Sequence, residues 1–293
     1  MMARYLVEWL PWPLARDLLR LMRVDRPIGT WLLLWPALWA LCAAMPVGQI
    51  DWRLVAIISV GAFVMRSAGC VINDIADRRF DPYVARTRDR PLAAGRVTLR
   101  QAIILLIGLL LLALLLALQL NPLCWQLAII GGLLAVSYPF TKRFFWAPQF
   151  YMGVAFGWGA IIAWAAVTAQ LSVIAWLIFA ATLTWAAGYD TIYAMMDRRD
   201  DRLIGIHSTA LLFGRGDRLA VAILYGMTVG LLAVVGWQLQ AGWFYFLTLC
   251  SCAIHMGWQI YAIRGYQTEV LLRVFLSNRW LGLAMFLGFC WRG

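Results

Sequence analysis

Four oxygen-bearing side chains, Asn73, Asp74, Asp77 and Asp81, fall within nine residues at the end of an apolar run. The spacing i, i+3, i+7 of Asp74, Asp77 and Asp81 predicts three carboxylates on one helical face. Three like charges repel unless a cation lies among them. A second acidic window holds Asp190, Asp197, Asp200 and Asp201, and its Asp190, Asp197 and Asp201 share a predicted helical stripe with Tyr193. With Asp89 counted, the two windows hold eight of the 14 acidic residues. They also share a local pattern, Asp77-Arg78-Arg79-Phe80-Asp81 and Asp197-Arg198-Arg199-Asp200-Asp201, at an offset of 120 residues. The echo suggests a weak internal repeat.

Either window alone could be a solvated, salt-bridged helix end, because each has arginines beside its aspartates. Two similar windows, the added Asn73, and the placing of Asp190 inside an apolar run argue for a function instead. A carboxylate at membrane depth is costly and usually functional. Oxygen-only donors suit Mg²⁺ rather than zinc or copper. Mg²⁺ is commonly held by a few carboxylates together with substrate phosphates. Two acidic faces opposed across a bundle would hold a diphosphate through bridging Mg²⁺, with nearby basic residues assisting.

The elements that must position these residues are membrane helices. Hydrophobic residues make up 63% of the 293-residue chain, charged residues 13%, and the mean hydropathy is +0.77. Soluble domains average roughly 45–50% apolar and about 25% charged. Nine apolar runs are long enough to span or nearly span a bilayer, at about residues 27–46, 54–73, 101–120, 122–138, 148–168, 172–196, 217–237, 242–263 and 275–291. The expected architecture is all-α, with nine transmembrane helices in one bundle around a central cavity. Residues 1–25 are expected to form an amphipathic segment on the membrane surface, and residues 26–293 the transmembrane domain. No cleavable leader is visible, so the first span is expected to act as the insertion signal.

Charge sets the expected orientation. Of the 25 basic residues, 22 lie in the N-terminal segment and in or beside the connections after the second, fourth, sixth and eighth runs, with Arg218 and Arg279 counted from the near ends of the runs that follow. Nine spans place all of these on one side, which the positive-inside rule makes cytoplasmic. The net charge of +11 is therefore a topology signal, and it requires no nucleic-acid partner. The six cysteines lie in or beside apolar runs without zinc-ligand spacing, and they read as small packing residues. Two histidines, His207 and His255, are too few for a histidine metal site.

The pattern Asn73-Asp74-x-x-Asp77-x-x-x-Asp81 resembles the first motif of the UbiA family of intramembrane prenyltransferases. The stretch from Gly188 to Asp201, with Tyr189-Asp190-Thr191-Ile192-Tyr193-Ala194-Met195, is similar to the second. Leu21 to Gly29, Arg86 to Leu92, Tyr138-Pro139-Phe140-Thr141-Lys142-Arg143 and Gly205 to Ala210 also resemble the family, so the likeness covers nearly the whole chain. The form of the second motif, with the Tyr138 to Arg143 loop, narrows the likeness to the branch that prenylates 4-hydroxybenzoate for ubiquinone synthesis in the bacterial inner membrane.

The resemblance implies a nine-helix bundle whose cavity opens sideways to lipid. It also implies a polyprenyl diphosphate donor and 4-hydroxybenzoate as acceptor, prenylated at its 3-position by an active site that faces the cytoplasm. On this reading Asn73, Asp74, Asp77 and Asp81 hold one Mg²⁺, and Asp190, Asp197 and Asp201, with Asp200 beside them, hold the other. Arg143 and Lys142 are candidates for the acceptor carboxylate, since a guanidinium fork matches a carboxylate. Their bland role is to set topology. Arg66, Arg78 and Arg90 are candidates for the diphosphate. Tyr193 would orient an aspartate or face the allylic cation, unless it only packs. Two rivals stand beside this reading: a relative with another acceptor, and a cation-coupled transporter. Transporters place coupling sites near the midplane, whereas these acids gather towards one membrane face. The sequence does not specify the oligomeric state.

Overall fold

Backbone polar groups in a bilayer must be satisfied internally, which leaves helices for runs of this kind. The computed structural model describes residues 7–8, 11–83, 87–141 and 143–293, and among them there are helices and no strand. A short helix α1 (Pro13–Leu21) precedes α2 (Ile28–Ala44), α3 (Trp52–Asp77), α4 (Leu99–Ala117), α5 (Pro122–Thr141) and α6 (Pro148–Thr168). Then follow the long α7 (Val173–Ile204), the single turn α8 (Thr209–Phe213), α9 (Asp217–Gln238), α10 (Trp243–Ala262) and α11 (Thr268–Cys290). Local chemistry sets several starts. Asp51 caps α3 by accepting from the Leu54 amide, Thr98 and Gln101 form a capping box on α4, and Ser172 caps α7. Gly205, at φ +69°, ends α7 in the left-handed region.

Among the described residues eight helices are long and apolar enough to cross a membrane, which makes this a multi-pass membrane protein. The expected first span, α2, is shorter at 17 residues, about 25 Å at ~1.5 Å per residue. Nine crossings therefore exceed what length and composition establish among the described residues. Two local expectations change. Helix α3 stops at Asp77, and Asp81 stands on a separate 3-10 turn, Asp81–Tyr83. The three carboxylates do not share one continuous helix face. In contrast α7 runs on to Ile204, so the second acidic window is wholly helical. The sequence echo does not extend to local structure. Arg273 and Arg279, counted with a connection, lie on α11, with Arg279 lying over the Trp280 ring at 5.0 Å. Long arginine stems can keep a charged head at the membrane boundary while sitting on an apolar helix. Lys142 and the N-terminal positions 1–6 lie outside the described residues.

Helix α2 runs through the middle of the bundle, against α6, α11 and α3. Trp39 is fully buried, stacks on Trp185 at 5.1 Å, and donates its indole N–H to the Gly282 carbonyl at 2.9 Å. Trp185 donates to Asn278 Oδ1, also at 2.9 Å. Buried polar atoms are thus paired between helices, as an apolar surround demands. Small residues permit the close approaches. A Cβ on Gly282 would meet Trp35 at 2.1 Å, and one on Gly153 would meet the Leu183 backbone at 2.8 Å. At the periphery, α4 packs along α3 and barely touches α5. Its Ile104, Leu111 and Leu115 are more than half exposed, as a lipid-facing surface requires.

One end of the bundle collects the connections. There Arg23 meets Asp74, Arg96 meets Asp17, Arg143 meets Asp77, and Gln149 accepts from the Thr209 amide. Arg198 pairs with the fully buried Asp217, which also accepts from Tyr266 at 2.7 Å. At the opposite end Arg292, which is buried, donates to the carbonyls of Cys42, Ala43 and Met45 at the end of α2. Gly282→Val is expected to force α2 and α11 apart, costing roughly 1–3 kcal/mol for an overpacked core. A lowered thermal midpoint in detergent, relative to the unaltered chain, checks this; an unchanged midpoint contradicts it.

Candidate active site

The helix positions that line the large cavity explain the sequence motifs. The cavity, of about 1230 Å³, has a polar end and an apolar body. Arg23, Arg66, Asn73, Asp74, Arg90, Tyr138, Asp190 and Tyr193 lie around the polar end. From Asp74 the cavity follows α3 back to Ile57, about 25 Å at ~1.5 Å per residue. Leu110, Leu114 and Ala117 of α4 and Ala128, Ile129 and Gly132 of α5 form its apolar walls. Leu114 is 53% and Ile129 67% exposed, so the cavity opens sideways between α4 and α5.

Asp74 anchors the polar end. It is 1% exposed and accepts from Arg23 Nη2 through both oxygens, at 2.9 and 3.0 Å. Arg90 Nη1 lies 3.1 Å from the same carboxylate and 2.9 Å from Asp81 Oδ2. The Arg23 backbone is at φ +61°, in the left-handed region that costs a non-glycine residue free energy. The Thr87 hydroxyl donates to the Asp81 carbonyl at 3.0 Å. Burial pushes the Asp81 carboxyl above the usual carboxylate range, with Arg90 pulling against it and Asp74 adding to the push. Burial also opposes the Arg90 charge, but Asp74 and Asp81 more than offset it.

Arg66 is the second polar feature. It sits two helical turns before Asn73 on α3, with Cys70, Tyr138, Tyr189 and Asp190 around it. Its Nε is buried without a hydrogen-bond partner, although such groups are nearly always paired. Gly29 makes room for it: a Cβ there would meet Arg66 Nε at 2.3 Å. The glycine of the Leu21 to Gly29 stretch thus has a steric reason.

The structure brings Arg66, Asn73, Asp74, Asp190 and Tyr193 to one cavity. Asp77, Asp81, Asp197, Asp200, Asp201 and Arg143 stand outside its lining. Asp77 is buried and faces Arg143 Nη2 at 3.4 Å. Arg143 also donates to the Ala76 carbonyl at 3.1 Å and lies over the rings of Phe80 and Phe140. Tyr193 packs against Phe275, ring centroids 4.7 Å apart. Asp200 is exposed. Arg23 had no assigned role in the sequence reading, although its signal was present: a basic residue just ahead of an apolar run and within the matched stretch.

Among the described residues, no three His, Cys, Asp or Glu side chains form a group that could hold a metal ion. The Asp74 and Asp81 carboxylates are turned onto Arg23 and Arg90. The donor chemistry still fits Mg²⁺. Asn73, Asp74 and Asp190 present oxygen alone, and Asp74 sits in a position that already demands nearby positive charge.

Comparison with known proteins agrees with this geometry. A 4-hydroxybenzoate octaprenyltransferase of Nitrosococcus oceani is 49% identical over 269 residues, 92% of this chain and 94% of that one. One from Tolumonas auensis is 47% identical over 289 residues, 98% of each chain. Among solved structures, an apo UbiA homologue from Aeropyrum pernix K1 has the same fold, with a TM-score of 0.77 at 24% identity over 89% of this chain and 96% of that one. A UbiA homologue from Archaeoglobus fulgidus bound to GPP and Mg²⁺ has a TM-score of 0.73 at 18% identity, covering 94% and 98% of the two chains. The family model for the UbiA prenyltransferases matches residues 33–288. Matched by the family model over residues 33–288 and by relatives 47–49% identical over nearly their whole length, the chain belongs to the UbiA prenyltransferase family.

Proposed function

We propose that the chain transfers a polyprenyl group from an all-trans polyprenyl diphosphate to the 3-position of 4-hydroxybenzoate, giving 3-polyprenyl-4-hydroxybenzoate and diphosphate in ubiquinone synthesis. One observation carries this reading: a single cavity joins the Asn73, Asp74 and Asp190 donors, the buried Arg66 and an apolar passage to lipid. The transferases of Nitrosococcus oceani and Tolumonas auensis, similar over nearly the whole chain, support the same acceptor. The GPP and Mg²⁺ bound to the Archaeoglobus fulgidus homologue support the donor class and the metal.

Each residue then has a task. Asn73, Asp74, Asp77 and Asp81 would hold one Mg²⁺, and Asp190, Asp197 and Asp201, with Asp200 at the rim, the other. Bound Mg²⁺ would neutralise the diphosphate and improve it as a leaving group. Arg23 and Arg90 stand within reach of the same place, and their guanidinium groups match phosphate oxygens. The prenyl tail lies in the apolar body of the cavity and leaves between α4 and α5. The ring carbon ortho to the acceptor hydroxyl forms the bond to the allylic carbon as the diphosphate departs, and the ring then loses its proton. Tyr193 faces this space with Phe275 behind it. Arg66 grips the acceptor carboxylate, because its unpartnered Nε and buried position suit a charged ligand better than Arg143, which is engaged with Asp77, Ala76 and two rings. Lys142 remains a second basic candidate from the sequence.

For the membrane arrangement we take nine crossings, with the N-terminus and active site in the cytoplasm of the bacterial inner membrane. In support, α2 begins beside Arg66 and ends under Arg292 at the far end of the bundle. Reporter fusions check the sidedness. A phosphatase that folds only outside the cytoplasm should be active when fused after Gly293 and inactive when fused in the loop after α5.

The roles make separable predictions. Asp77→Ala and Asp197→Ala are each expected to lower transfer by more than the ~10- to 100-fold that loss of a mere outer-shell partner brings, and EDTA should abolish it in the unaltered enzyme. Near-normal rates in both purified, Mg²⁺-supplied variants would sink the two-metal reading. Arg66→Gln and Gly29→Ala should raise KM for 4-hydroxybenzoate roughly 10- to 100-fold, the worth of a charged hydrogen bond at ~1.5–3 kcal/mol. KM for the prenyl diphosphate should move little. A rise confined to the diphosphate would instead assign Arg66 to the donor.

A further inference from the structure

The end of the bundle remote from the acidic motifs holds two cysteines that transfer chemistry does not use. Cys42 lies near the end of α2 and Cys290 is the last residue of α11. They are 248 residues apart in the chain, yet their Sγ atoms stand 3.1 Å apart, about 1 Å beyond the ~2.05 Å length of a disulfide bond. Cys42 is 6% exposed, whereas Cys290 is only partly buried. The surrounding structure fixes the approach. Arg292, two residues after Cys290, donates to the carbonyls of Cys42, Ala43 and Met45 and to that of Phe289. Gly242 donates its amide to the Arg292 carbonyl at 2.6 Å, which ties the same point to the α9–α10 connection. The other four cysteines have no comparable sulfur neighbour among the described residues.

We infer that Cys42 and Cys290 form a disulfide that staples the end of α2 to the end of α11, on the face opposite the arginine-rich connections. The choice of face rests on the orientation proposed above, which puts this end on the oxidising side of a bacterial membrane. The oxidant is an external disulfide, that of a thiol–disulfide oxidoreductase. The Cys290 thiolate attacks one of its sulfurs and releases the other as a thiol. The Cys42 thiolate then attacks the Cys290 sulfur of the mixed disulfide and releases the second thiol. Two cysteine thiols lose two protons and two electrons, and the external disulfide gains them. The staple ties the buried central helix α2 to its neighbour at one end, while the other end of α2 remains bound only by non-covalent contacts beside Arg66.

The test uses the full chain in native membranes. Cells are quenched with N-ethylmaleimide at harvest, the membranes are then reduced, and new thiols are labelled with a maleimide-polymer conjugate that retards the band on a gel. Two new thiols are expected in the unaltered chain and none in Cys42→Ser or Cys290→Ser. In spheroplasts reduced and then washed, membrane-impermeant oxidised glutathione should restore the pair. Reduction should lower the thermal midpoint of the detergent-purified unaltered chain and leave that of Cys42→Ser unchanged. Both thiols blocked at harvest, and still reactive after oxidised glutathione and after the permeant oxidant diamide, would overturn the disulfide. Closure with diamide alone would overturn the assigned face. Prenyl transfer is measured in the same membranes and should persist in Cys42→Ser; its absence from the unaltered chain would count against the proposed function and not against the disulfide.

Discussion

A carboxylate taken out of water must be compensated, and at Asp74 this requirement organises the whole polar end of the bundle. Its desolvation is costly, and only well-placed cations with hydrogen bonds offset it. Arg23 supplies one from the segment ahead of α2, and Arg90 supplies another from the loop after α3. Arg90 also reaches Asp81, so the segment ahead of α2, helix α3 and the loop after it meet in one ion-pair cluster. Arg96 on Asp17 and Thr87 on the Asp81 carbonyl fasten the same loop further. Remove the Asp74 charge and two partly buried guanidinium groups lose the partner they share, leaving Arg90 with Asp81 and Arg23 without a carboxylate.

From that anchor the cavity changes character over one helix. The α3 residues pass from Asp74 and Asn73 through Arg66 to Gly61, Ile58 and Ile57. On the proposed function, the order of residues on this single rigid element sets the order of chemistry: leaving group at one end, ring between, hydrocarbon beyond. Helices α6, α7, α9 and α11 provide the stiffness behind this wall. Trp39, Trp185 and Asn278 link α2, α7 and α11 through buried hydrogen bonds whose rupture would strand polar atoms in an apolar core.

Much of this was legible in the sequence because its signals are local. Apolar run length places most helix ends to within four residues, although α7 runs eight residues further and α11 begins seven earlier than expected, and charge asymmetry gathers the connections at one end, where the ion pairs join them. The acidic windows stand out by residue type alone. What was hidden depended on tertiary contact. The break after Asp77 puts Asp81 on its own turn, and helical spacing could not foresee it. Arg23 is marked in sequence only as a basic residue ahead of an apolar run; its pairing shows only when its carboxylate partner, 51 residues on, is in view. Arg66 and Arg143 are both basic residues near a motif; only burial and partners tell them apart. Cys42 and Cys290 read as packing residues until the fold closes the chain between them.

The loose seam between α4 and α5 has a kinetic meaning. A hydrocarbon tail that enters and leaves sideways never crosses water, so donor and product stay dissolved in lipid throughout. The concentration the enzyme senses for them is a mole fraction in the bilayer, an amount per area rather than per volume. 4-Hydroxybenzoate, in contrast, arrives from solution in three dimensions. Diluting the membrane with additional lipid would therefore slow the reaction even with every aqueous concentration held constant, because it thins one substrate and leaves the other untouched.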